Sequence, residues 1–311
     1  LDELLDVIDK GGPRRTKGGE RSRMDVVVMV PEIFPDNTDR NRTSPFAFTG
    51  DRFEFRAIGA SANAASAMLF LNTAVAQQLK LFKMLVDKEI EKGIQLEEAL
   101  MKTIQKFVKE SRDIRFEGNG YSDEWHKEAA ERGLRGITDV PASYDALLEE
   151  QSIALMEEMC VMTRRELEAR YEVRNQMYVK KLQIEARVLG DLTINHFVPA
   201  AIRHENMLLE NVKGLRDLFP PEEYQELVST QLKAIRIIAG YVNEMRGLVH
   251  LLIEARKKAN NVELLHDRAR EYAAAVLPVM DRIRDCADHL EMIVDDELWP
   301  LPKYRELLFL R

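Results

Sequence analysis

Cysteine is nearly absent from this chain: Cys160 and Cys286 are the two among 311 residues. They stand far apart in helical contexts, which argues against a disulfide framework and predicts buried thiols in a reducing compartment. Long apolar runs are missing too. The greasiest region, Leu69 to Val86, is interrupted by Asn72, Gln77, Gln78, Lys80 and Lys83, short of the roughly 18 uninterrupted apolar residues a membrane span requires. No secretory leader pattern opens the sequence, so a soluble, cytoplasmic protein is expected. The histidines, His126, His196, His204, His250, His266 and His289, never form a His-x-x-x-His or Glu-flanked pair, so no zinc centre is expected. No nucleophile with an adjacent base is legible, which leaves covalent catalysis without support. Positive charge is in deficit: 45 Lys and Arg against 53 Asp and Glu give a net charge of −8. Nucleic acid is therefore not the expected partner.

What is present starts with bulk. With 45% apolar residues, 311 residues can bury a large core and suggest about two domains. One stretch organises the chain, Asp39-Arg-Asn-Arg-Thr-Ser-Pro-Phe-Ala-Phe-Thr-Gly-Asp-Arg-Phe-Glu-Phe-Arg56. Its second half alternates charged and aromatic residues with the period of a strand. Arg52, Glu54 and Arg56 share one face, while Phe53 and Phe55 share the other and call for a core. Phe46-Ala47-Phe48-Thr49 is a second alternating run, and Gly50-Asp51 suits a two-residue turn between them. The charged face has two readings. Spacing alone favours a solvated strand in which Glu54 neutralises its neighbours. The alternative is an anion and metal site, since arginine forks suit phosphate and carboxylate and Glu is a hard oxygen ligand for Mg²⁺ or Mn²⁺.

The run Asn41-Arg42-Thr43-Ser44 followed by Arg52-x-Glu54-x-Arg56 resembles the Asn-Arg-Ser and Arg-x-Glu-x-Arg elements of the glutamine synthetase family. The full string from Asp39 to Arg56 looks like the version of its type III class. Gly118-Asn-Gly-Tyr-Ser-Asp-Glu-Trp125 and the ending Trp299-Pro-Leu-Pro-Lys-Tyr-Arg-Glu-Leu-Leu-Phe309 resemble that class as well. The resemblance implies an ATP-dependent ligase joining glutamate and ammonia into glutamine through a glutamyl phosphate intermediate. It implies that Glu54 binds the nucleotide-side Mg²⁺ or Mn²⁺, that Arg42 and Arg52 contact ATP phosphates, and that Arg56 contacts the glutamate or acyl-phosphate end. The family's further arginine, five residues after the Asn-Arg arginine, is here Ala47, and Arg40 is the substitute at hand. By resemblance the other metal ligands and the ammonium pocket belong upstream, and the complete protein is a large ring-type homo-oligomer.

The remainder is read from pattern. Leu1 to Lys10 resembles the interior of an amphipathic helix without a cap, so a fragment is expected, inactive by itself. Residues 11 to 23 form a basic, glycine-rich connector, Met24 to Val30 a short buried strand, and Pro31 to Asp39 a loop. Helices are expected from the Ser61 to Asn63 region to Glu91, from Leu96 to Ser111, and from Ser122 to Arg132. A long charged helix from Thr163 should bend near Pro199. Two seams then step by four and three: Tyr224, Val228, Gln231, Ile235, Ile238, Val242, Met245, Val249, Leu252, and Val262, Leu265, Ala269, Tyr272, Val276, Val279, Ile283, Cys286, Leu290, Ile293. Such seams predict an antiparallel helical hairpin, kinked at Pro278. The expected fold class is α+β: residues 1–148 as the C-terminal part of a catalytic domain of short antiparallel strands and helices, then 149–311 as a mostly α-helical bundle extension. The competing readings are a non-catalytic α-helical assembly or regulatory module, in which the hairpin is structural, and a related ligase joining a different carboxylate and amine.

Overall fold

The computed structural model describes residues 2–9, 46–48, 52–56, 63–116 and 118–308. They form α1 (Asp2–Asp9), the strands β1 (Phe46–Phe48) and β2 (Phe53–Phe55), α2 (Ala65–Glu91), α3 (Leu96–Glu110) and α4 (Asp123–Glu131). Next come α5 (Val140–Asp145), α6 (Glu150–Glu158), α7 (Arg164–Leu192), α8 (Val198–Leu218) and α9 (Pro221–Asn260). Helices α10 (Leu265–Glu271), α11 (Leu277–Glu291) and α12 (Tyr304–Leu307) follow. Two compact units result: Leu1–Ile137 with Ile153–Thr163, and Thr138–Ser152 with Arg164–Arg311. The protein is mostly helical. Among the described residues the expected α+β character narrows to the single β1–β2 hairpin. The connector at 11–23, the strand at 24–30 and the loop at 31–39 lie outside the described residues.

In the first unit α2 and α3 pack together and α1 packs on α3. Phe82 meets Phe107 edge-on, with ring centres 5.6 Å apart. The buried hydroxyls of Thr73 and Thr103 donate to the carbonyls of Leu69 and Ala99, one turn earlier, at 2.7 and 2.9 Å. They thereby avoid the cost of burial without a partner. Helix α2 ends where expected because Gly93 takes a left-handed turn (φ 87°). The Gly93 and Ile94 amides donate back to Ile90 and Glu89 and satisfy the last turn. Ser122 caps α4, accepting from the Trp125 amide at 3.2 Å, and Gly133 repeats the left-handed exit. At the other end of α2 it is Asn63 that accepts from the Ala65 amide, at 2.8 Å.

Cys160 departs from expectation. It is exposed, not buried, and sits just beyond α6 with φ 54°, the left-handed position glycine fills after α2 and α4. The Cys160 and Val161 amides donate to Glu157 and Met156 in the same exit pattern. The cysteine therefore occupies a turn its Cβ disfavours.

The second unit is built on the two seams. From the first, Val228, Ile238, Val242, Met245, Val249 and Leu252 are buried; from the second, every residue from Ala269 to Leu290. Tyr272, Ile238, Met245, Leu252, Ile283 and Leu290 are shut from water, each contributing about 1.5–3 kcal/mol of burial. The hairpin is antiparallel, since Lys258 pairs with Glu271 and Glu244 with Arg282, both at 3.0 Å. Both proline expectations resolve the same way. A π-helical turn at Thr193–Phe197 precedes Pro199, and another at Tyr272–Val276 precedes Pro278. Proline has no amide hydrogen and its ring crowds the carbonyl four residues back; one wider turn just upstream absorbs both defects while the helix continues. Trp299 returns to the core and stacks parallel to Phe197 at 5.3 Å. Among the described residues no helix is long and apolar enough to cross a membrane.

Candidate functional site

Strand β2 pairs antiparallel with β1 in the register Phe46↔Phe55, Ala47↔Glu54, Phe48↔Phe53. Gly50 and Asp51, the expected turn between them, lie outside the described residues. Alternation places Arg52, Glu54 and Arg56 on one face, and their side chains join. Arg56 donates to Glu54 Oε2 through Nη2 at 3.0 Å and through Nε at 3.3 Å. Arg52 Nη2 stands 3.5 Å from Oε1. The hydrogen bonds from Arg56, with the charges of Arg56 and Arg52, hold the Glu54 carboxyl below the usual carboxylate range against a smaller opposing effect of burial. The group is an ionised carboxylate at neutral pH.

The opposite face corrects an expectation. Phe53 and Phe55 are 59% and 44% exposed, whereas Glu54 and Arg56 are half-buried. A two-stranded ribbon has no second layer of its own under which to hide an apolar face. Arg42, with Asn41, Thr43, Ser44 and the candidate substitute Arg40, lies outside the described residues. Ala47, where the resemblance expects an arginine, is the direct cross-strand partner of Glu54.

The site is chemically suited to anions and partly suited to a divalent cation. A carboxylate accepts at about four positions, so Glu54 keeps acceptor capacity beyond its two arginines and offers a hard oxygen donor. One carboxylate is not a coordination sphere, and no group of three His, Cys, Asp or Glu that could hold a metal occurs among the described residues. Glu54 fits as one ligand of a larger set.

A second charged cluster was not singled out from sequence. Asp6, Arg112, Asp113, Arg115 and Arg132 line a cavity of about 360 Å³ in the first unit. Arg132 donates to the carbonyls of Arg115 and Asp113 at 2.7 and 3.3 Å and pairs with Glu128. Its guanidinium lies 5.4 Å over Trp125, which stacks on Phe116 at 3.8 Å. Arg132 thus ties the 112–116 segment to α4. The Arg-Asp-x-Arg spacing at 112–115 is its one sequence signal.

Residues 99–216 match the glutamine synthetase C-terminal domain. The class suggested by the hairpin is therefore also the class of the helical region that follows it. At the level of individual proteins, the chain is 49% identical over 91% of its length to a glutamine synthetase of Bacteroides fragilis (strain YCH46). It is 34% identical over 92% to the type-3 glutamine synthetase of Dictyostelium discoideum, and 27% identical over 99% to a glutamine synthetase of Butyrivibrio fibrisolvens. The chain is a relative of the glutamine synthetases, the type-3 class included. It spans 39%, 39% and 43% of the length of those three relatives.

Proposed function

We propose that this chain contributes the nucleotide and metal side of an ATP-dependent ligase making glutamine from glutamate and ammonia, with the rest of the site supplied by residues beyond these 311. The observation that carries this is the 49% identity over 91% of the chain to a protein named glutamine synthetase. The ion-paired strand Arg52-x-Glu54-x-Arg56 supports the reading by offering one carboxylate and two guanidinium groups on a single face.

In this reaction a side-chain carboxylate oxygen of glutamate takes the γ-phosphoryl group of ATP, and ADP leaves. Ammonia then attacks the acyl carbon of glutamyl phosphate, forms the C–N bond and expels inorganic phosphate. Charge accumulates on the transferring group, so donors held in place beforehand lower the barrier. Arg42 and Arg52 bind the ATP phosphates, and Arg56 orients the glutamate or acyl-phosphate end. Pinned on Glu54 through two nitrogens, Arg56 has little rotamer freedom left to lose on binding. Glu54, kept ionised, serves as one ligand to Mg²⁺ or Mn²⁺, whose chemistry when bound is to neutralise phosphate charge.

Residues 1–148 serve as the C-terminal part of the catalytic domain and 149–311 as its helical extension. The complete protein works in the cytoplasm as a large ring-type homo-oligomer. A second reading, a helical assembly module with no catalytic role, draws on the continuous core of the second unit. The test is phosphate release by the complete protein in Mg-ATP with glutamate, with and without ammonium. Release requiring both, and reduced more than about a hundredfold in Glu54→Ala with assembly intact, is expected. No release under any combination from an assembled oligomer overturns the ligase in favour of the scaffold. Release with another carboxylate and amine but not with glutamate and ammonium reassigns the substrate. Robust glutamine formation by the 311 residues alone contradicts the need for further residues.

A further inference from the structure

Helix α7 buries one face through Leu167, Asn175, Val179, Leu182 and Ala186. Its opposite side should be polar, as on an ordinary surface helix. Instead Val173, Met177, Ile184 and Val188 form a stripe there, 52%, 65%, 62% and 52% exposed. At 100° per residue the four fall within one narrow sector, directly away from the buried face.

The spacing of the stripe is its second property. The steps are four, seven and four residues, the same read from either end. An antiparallel copy of α7 laid along it sets Val173 against Val188 and Met177 against Ile184, each pair twice, about an axis between Lys180 and Lys181. That self-complementarity is what a two-fold interface demands. Charge selects the direction. In the antiparallel register exposed Arg170 faces exposed Asp191 at both ends, whereas a parallel pair sets Arg170 against Arg170 and Asp191 against Asp191. The cost is Lys180 and Lys181 meeting at the axis and Arg174 standing against Arg187 on the flanks; Lys181 is offset within its own helix by Glu185, at 3.8 Å.

We propose that this face of α7 is a docking surface for a second copy of the chain, formed by antiparallel self-pairing of Val173, Met177, Ile184 and Val188. The pairing does not depend on the ligase reading. A contact about 22 Å long is small for a stable interface, so association is micromolar.

Sedimentation of the 311-residue chain over about 1–100 μM should show a reversible dimer or a higher species built on it. Met177→Glu/Ile184→Glu should weaken that association more than about tenfold while helical content and melting temperature stay unchanged. In a Cys160→Ser background, mixed Val173→Cys and Val188→Cys chains should form a disulfide heterodimer, whereas Val173→Cys alone should not cross-link to itself. A chain monomeric throughout, association indifferent to the glutamates, or Val173→Cys self-cross-linking each overturns the proposal. Association indifferent to the glutamates would assign the stripe to another occupant, such as a different protein or other residues of a longer chain.

Discussion

The β1–β2 hairpin and the α9–α11 seam are both periodic sequences, and their side chains end in opposite situations. Along the seam apolar residues recur every three or four positions, and Tyr272, Ile283 and Leu290 are shut from water. In the hairpin the period is two and the register agrees with the pattern, yet Phe53 and Phe55 remain in solvent while Glu54 and Arg56 are the better covered. Periodicity states which residues share a face. Whether that face is buried depends on a second layer, which the paired helices supply to each other and a two-stranded ribbon does not.

This contrast can be broken or sharpened by measurement, beginning with the deepest residue. Tyr272→Ala removes a fully buried ring whose hydroxyl donates to Asn260 Oδ1 at 2.8 Å. A loss of about 3–5 kcal/mol in urea unfolding is expected. A loss below about 1 kcal/mol would mean the seam is no better packed than the hairpin.

A smaller effect is expected at Tyr171, also in the second unit. Burial, and then its 2.9 Å hydrogen bond to Asp145, push this phenol up to about 12. A pKa raised on folding means stability that is full below the unfolded value of about 10 and lost as pH rises through the folded value. Thermal stability of the second unit should therefore fall between about pH 10 and 12. Asp145→Asn should move the Tyr171 titration, read by ultraviolet absorbance, to lower pH. An unmoved titration would remove Asp145 as a cause.

Cys160→Gly tests the left-handed turn after α6. Relieving its Cβ should raise stability by about 1 kcal/mol in denaturant; a destabilised variant would show that the thiol makes a contact worth more than the strain. Least of all, Phe53→Ala should change stability by no more than about 0.5 kcal/mol. A loss of several times that would place Phe53 in a core and restore the symmetry between the two regions.

Much of the helical architecture was legible because its signals are local or many times repeated. Gly93 and Gly133 mark exits that only a residue without a Cβ takes freely, and Ser122 marks an entry. The seams repeat often enough to specify which helix faces meet, and Pro199 and Pro278 announced interruptions. What they did not announce was the π-helical turn just upstream of each ring. Cys160 was misread for a different reason: composition says that cysteines are commonly buried, but nothing local identifies one that fills a glycine position. The pairing of Arg56 and Arg52 on Glu54 was legible from alternation, whereas the Arg132 tie to residues 112–116 joins positions too far apart for any periodic signal.

The sequence by itself determined most of the long helices and where they stop, which apolar positions form the long seams, and that Arg52, Glu54 and Arg56 share one face. These follow from short-range sterics and from the 3.6- and 2-residue periods of the backbone. The tertiary structure alone decided which faces are covered. It buried the seams of α9 and α11 against each other, left Phe53, Phe55 and the Val173 to Val188 stripe in water, and drew Asp145 onto Tyr171 and Arg270. Burial depends on which elements come together across long stretches of chain, and an amphipathic pattern records only the capacity to be covered.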